Sequence, residues 1–258
     1  MDEIIKIKGD NYERYEDLLC KRDQLEKEAA IYMEDYIRTF GELLTEVFKE
    51  KVICIEKKKA ISYCQAMVNR GNVINQEKFN AYIAEQMADY YKQIEQMVAD
   101  NEAVKKVTVS PEATVRKVKQ LYRKIAKLIH PDINPKTKED ETLSELWNRV
   151  TLAYQMNNLE DLEELEVLTI KALEQIGFDT IDIEIPNIEE KIATVEARID
   201  EIITTDPYQY KYLLEDLTLV NEKKQNLQDE LKEYQEYHEE LEKVLDQLLL
   251  QGELKIIL

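Results

Sequence analysis

Glycine and proline are scarce in this chain, five of each among 258 residues. A fold of many short strands needs a turn former at nearly every reversal, so this scarcity excludes a sheet-rich architecture and leaves long helices. Cysteine is also rare. Cys20, Cys54 and Cys64 are odd in number and widely spaced, with no CxxC pair, which points to neither a disulfide framework nor a zinc site. They are expected to be reduced, half-buried helix residues. No run of eighteen apolar residues is present, and "MDEIIKIKGD" has neither the basic start nor the apolar stretch of a signal peptide. A soluble, cytoplasmic protein is the expectation. Positive charge is the minority sign, 35 Lys and Arg against 54 Asp and Glu, a net of −19, which argues against nucleic acid or an anionic membrane as partner of the whole chain.

What positive charge there is lies unevenly. Residues 111 to 140 hold eight basic and four acidic side chains, whereas residues 141 to 258 hold ten against twenty-nine. Six basic residues crowd onto 116 to 127, just ahead of His130, one of only two histidines. A basic island thus stands between two acidic flanks.

Both flanks carry helical seams. Leu213, Leu217, Val220, Lys224, Leu227, Leu231, Tyr234, His238, Leu241, Leu245 and Leu248 alternate four and three apart, predicting a long helix from about 207 to 248, with Asp206 as N-cap and Pro207 in the first turn. Ile188, Ile192, Val195, Ile199 and Ile202 repeat the spacing behind a capping box at Asn187 and Glu190, and the "TTDP" turn predicts that the two helices fold back on each other. "FDTIDIEIP" reads as a short extended connector. At the other end, Asp10 and Glu13 cap a helix with a stripe running from Leu18 through Leu25, Tyr32, Phe40 and Val47, "VNRGNVINQ" breaks it, and a second helix spans about 76 to 105. Tyr82, Tyr90 and Tyr91 at helical spacing belong to a packing seam rather than a binding surface. His238, with no Cys or second His nearby in sequence, is not expected to hold metal.

In the island, Val115, Val118, Tyr122, Ile125 and Ile129 form one apolar face, while Arg116, Lys119, Arg123 and Lys127 fall on roughly the opposite one. The helix must end by His130, because Pro131 cannot donate a backbone hydrogen bond and pushes the residue before it out of helical geometry. A loop, "HPDINPKTKEDE", leads to a second amphipathic segment carrying Leu143, Leu146, Trp147, Val150, Ala153 and Tyr154, which can close on the first.

"VTVSPEATVRKVKQLYRKIAKLIHPDINP" resembles the heart of a J-domain, the module by which DnaJ-type co-chaperones engage DnaK-type ATPase chaperones. The family's "LGVSPDAT" corresponds to Val107 through Thr114, its "YRKLA" to Tyr122 through Ala126, and its loop triplet to His130, Pro131 and Asp132. Trp147, Val150, Ala153 and Tyr154 meet the pattern of the family's third helix. The resemblance spans residues 107 to 157. It departs in four places: the tyrosine pair and leucine of the first helix are missing from "MVADNEAVKK", so the end of the N-terminal hairpin stands in for it; the loop is longer; Ile133 replaces a frequent lysine; and the basic fourth helix gives way to "NNLEDLEELEV". No glycine/phenylalanine-rich linker or cysteine-rich zinc module follows.

The expectation is an all-α chain with an N-terminal helical hairpin over 1–106, a degenerate J-domain over 107–157 and an acidic helical hairpin over 158–258. The resemblance implies a co-chaperone without catalysis, cofactor or metal. It would dock a DnaK-type chaperone through His130, Pro131 and Asp132 and through Arg116, Lys119, Arg123, Lys124 and Lys127, with the arms contacting an unknown client. Cationic side chains would steer that docking and weaken with salt. The alternative is a coiled-coil scaffold in which the J-like unit is only a packing module.

Overall fold

The structure, a computed structural model, describes residues 10–106, 110–176 and 185–251. Every regular element among them is helical: α1 (Asp10–Asn69), α2 (Gln76–Lys106), α3 (Glu112–Ile129), α4 (Lys136–Glu139), α5 (Glu141–Gln155), α6 (Leu159–Gln175), α7 (Ile188–Thr204), α8 (Tyr210–Glu215) and α9 (Leu217–Gln251). The all-α expectation holds. The Asp10 side chain of the expected Asp10–Glu13 cap and most of the "FDTIDIEIP" connector fall outside what is described.

The chain forms two compact units that divide it differently from the three sequence segments. One contains residues 1–31 and 108–209, the other 32–107 and 210–258, so α1 contributes its first third to one and the remainder to the other. The reason is where its stripe is buried. Tyr15, Leu19, Leu25 and Ala29 pack with Ile192, Val195, Ile199 and Ile202 of α7, while Phe40 and Val47 pack with Val220 and Leu227 of α9. The seam of α7, expected against the C-terminal helix, is therefore buried on the start of α1.

In the second unit α1 and α2 form the expected antiparallel hairpin. Tyr63 meets Phe79 and Tyr82, Lys59 bonds Gln86, and Tyr91 donates to Glu56. Near the far end, Asn101 Nδ2 donates to Gly41 O at 3.1 Å and to Thr45 Oγ1 at 2.9 Å, and a side chain at Gly41 would collide with the Asn101 amide. His238, on α9, lies 2.5 Å from Glu50 Oε1, and among the described residues no cluster could hold a metal ion.

Three local expectations are corrected. The long C-terminal helix does not start at Asp206; it breaks after α8, and the Asp216 carboxylate accepts from the backbone N–H of Thr218 and Leu219 to begin α9. Asn187 makes no side-chain cap and instead takes a left-handed φ of 53°, which asparagine tolerates better than most residues. Pro135 and the lysines after it are not plain loop but open the single turn α4. No helix among the described residues is long and apolar enough to cross a membrane. All three cysteines are free and buried.

Candidate functional site

The site is built on α3, whose apolar face the sequence pattern marks. Val118, Tyr122, Ile125, Ala126 and Ile129 are buried against Leu143, Leu146, Val150, Ala153 and Tyr154 of α5 and Leu162 and Leu165 of α6. The helix stops where Pro131 requires. His130, extended at φ −60° and ψ 128°, gives its N–H to Ala126 O at 2.8 Å, and the chain then turns so that Ile133 N and Asn134 N both donate to His130 O, at 2.9 and 2.7 Å. Asn134, fully buried, closes the loop: its Nδ2 donates to Leu128 O at 3.0 Å, and its Oδ1 accepts from Lys136 N at 3.1 Å. Asp140 caps α5 by accepting from Leu143 N at 2.9 Å.

The loop histidine is not exposed. His130 is 4% accessible, its ring edge-on to Trp147 with centroids 4.7 Å apart. The Asp132 N–H donates to its Nδ1 at 3.0 Å, which places the proton of the neutral ring on Nε2. That nitrogen faces Asp23 Oδ2 at 3.7 Å, and Arg22 Nη2 stands 3.3 Å away as a packing contact, since both nitrogens carry hydrogen. Burial lowers the His130 pKa to about 4; Asp23 and Asp132 oppose the shift, and Arg22 and Lys138 add to it. The imidazole is neutral at pH 7. Burial would raise the Asp132 carboxyl, but His130, Lys138 at 3.2 Å and Arg22 at 3.6 Å outweigh it and hold the group below its ordinary value.

The groups around His130 come from α1, a contribution that no local pattern in the sequence announces, because Arg22 and His130 are 108 positions apart. Asp23 Oδ2 accepts from the buried Tyr122 hydroxyl at 2.7 Å, and burial, reinforced by Asp23, raises the phenol's pKa. Tyr122 in turn stacks on Tyr154 at 3.9 Å. Lys27 donates to Tyr154 O and Asn157 Oδ1 and lies 4.0 Å from the centre of the Tyr154 ring. Burial lowers its pKa to about 8, which still leaves it an ammonium at pH 7. The stand-in expected for the missing first J-domain helix was the end of α2, which belongs to the other unit; the helix lying on this one is the start of α1.

The basic residues do not share one surface. Lys127 pairs with Glu16 of α1 at 3.2 Å, and this carboxylate raises its pKa although burial works against it. Arg123 is half-buried, and its charge, with that of Lys127, bears on the Cys20 thiol of α1, whose pKa burial raises to about 11. Lys124 turns the other way, to Glu166 of α6. Arg116 is exposed and Lys119 half-buried, both toward the start of α3. His130, Asp132, Arg123 and Lys127 are therefore brought together beneath α1, while Arg116, Lys119 and Lys124 are not part of that contact. Pro131 is half-buried.

Ile133, the departure just after the triplet, has a structural cause. It is fully buried in the cluster formed by α1 and α7, where a lysine ammonium would lose its water.

A loop of His, Pro and Asp between a basic helix and a helix presenting Trp, Ala and Tyr is the arrangement a family comparison can test. Residues 105–162 match the family model of the DnaJ domain. No curated protein and no solved structure matches the chain. The DnaJ-domain segment thus takes in the end of α2, α3, α4, α5 and the first residues of α6, and the match carries the identification of this one segment.

Proposed function

We propose that the protein is a co-chaperone that docks a DnaK-type ATPase chaperone through its DnaJ-domain segment and stimulates ATP hydrolysis there, its remaining helices engaging a client or target. The observation that carries this reading is the match over residues 105–162, with the His130-Pro131-Asp132 triplet on the loop between α3 and α4. His130 and Asp132 would contact the chaperone, Pro131 would fix their geometry, and Arg116, Lys119, Arg123, Lys124 and Lys127 would draw the helix to an acidic surface.

The second reading, a scaffold with an inactive J-like packing module, is favoured by one fact: His130 is buried. Steady-state ATPase of a DnaK-type chaperone from the same source, with and without the protein, tests the first reading. Stimulation that vanishes in His130→Gln supports it. A protein that never stimulates, in any state of α1, leaves the scaffold.

A further inference from the structure

The start of α1 occupies the face through which the DnaJ-domain segment is proposed to dock. Glu16 takes Lys127, Arg22 takes Asp132, and Asp23 stands over His130 and Tyr122. The signs are matched as a docking partner's would be, an anion for Lys127 of α3 and a cation for the loop carboxylate. We propose that this stretch of α1 is a built-in cover, which must lift, carried with α7, before a DnaK-type chaperone can reach His130 and Lys127. The inference rests on the function proposed above and adds its regulation.

Separability is what distinguishes a cover from a core element. Of the nine buried residues in the cluster that holds the start of α1, four are on α1, four on α7 and one, Ile133, on the loop. In the neighbouring core of the DnaJ-domain segment, Cys20 is the one buried residue supplied by α1. Lifting α1 together with α7 therefore keeps their mutual apolar stripe intact, with Arg14–Glu196 and Arg198–Glu26 still joining them. Among the described residues it uncovers Cys20 and Ile133, together with the parts of Tyr122 and Tyr154 that Asp23 and Lys27 cover, and breaks a set of polar pairs, which are the contacts a competing charged surface can replace. A site available only in the lifted state binds with an affinity reduced by that state's population.

The test uses the full chain with Cys54 and Cys64 changed to alanine, so that Cys20, 3% accessible at the contact, reports lifting by its rate of alkylation with iodoacetamide. Glu16→Lys combined with Arg22→Glu repels Lys127 and Asp132; Lys21→Pro, at an exposed position, breaks α1 next to the site without changing a side chain that contacts it. Both variants should raise Cys20 alkylation and chaperone stimulation together, by about ten-fold. Adding the ATP-bound chaperone to the otherwise unmodified chain should also speed alkylation. If both variants open Cys20 and stimulation stays at the original level, the cover is overturned while the co-chaperone reading stands. If Cys20 stays protected in both, α1 is a fixed part of the unit and the cover is overturned as well. If Cys20 opens and neither the variants nor the original stimulate, the co-chaperone reading falls and the cover with it.

Discussion

Acidification should destabilise this protein through His130 in a window that the geometry sets. The ring is ordinarily half-protonated at 6.5, and burial lowers this to about 4 in the fold. Below 6.5 the unfolded chain takes a proton that the folded chain refuses, so stability is complete above 6.5 and is lost progressively as pH falls toward 4. With about 1.36 kcal/mol per unit, the loss attributable to His130 approaches about 3 kcal/mol at the bottom of the window. Acid titrates many carboxylates in a chain of this charge, so the informative quantity is the difference between the original and His130→Phe, measured by urea melts at a series of pH values. The variant lacks the titrating ring, and the two stability curves should be parallel above pH 7, with the original losing stability relative to the variant below it. The imidazole can also be read directly, because the chain has only two histidines and His238→Gln leaves one signal in an NMR titration. A His130 that titrates near 6.5 in the folded protein, or melts whose difference does not vary with pH, would refute the burial argument.

Ile133→Ala should cost about 2–5 kcal/mol in a urea melt, the range for truncating a fully buried aliphatic, and should also speed alkylation of Cys20. Gly41→Ala should displace the Asn101 amide and break its bonds to Gly41 O and Thr45 Oγ1, lowering stability by about 1–3 kcal/mol; adding Asn101→Ala should recover part of that loss if the collision is the cause. Trp147→Ala should cost several times more in a melt than Arg123→Ala, because the indole packs on both Tyr122 and His130 while the arginine is a half-solvated charge; equal losses would make the basic edge structural.

Periodicity and local chemistry were legible. The stripe of α3, its end at His130, the helix with Trp147 and Tyr154, the hairpin of α1 with α2 and the seams of α7 and α9 all follow from spacings of three and four and from where proline stands. Choice of partner was not legible. The stripe of α7 is apolar on any assignment, and nothing within it says that Tyr15 and Leu19 rather than the C-terminal helix will cover it. Asp216 interrupts a seam whose heptads run on through it, because one carboxylate capping two N–H groups acts locally and leaves no mark on the apolar period. The largest omission was the burial of His130. Its covering groups are scattered over α1 as ordinary surface charges, and each acquires meaning only through a contact more than a hundred positions away. One signal did stand in the sequence, the isoleucine at 133 where the family often has a lysine, and it marks the place where the loop enters the α1–α7 cluster.

The order of these pieces along the chain has a consequence for the nascent protein. The residues of α1 that close over the loop precede it by about 108 positions. At about 5–20 residues per second they leave the ribosome several seconds before the loop does, ample time for a helix to form. The loop therefore emerges with its covering helix already made, whereas α7, which completes that helix's apolar pairing, comes later. During that interval the unit is held by few apolar contacts, and a chaperone waiting at the exit would meet the triplet at its most accessible.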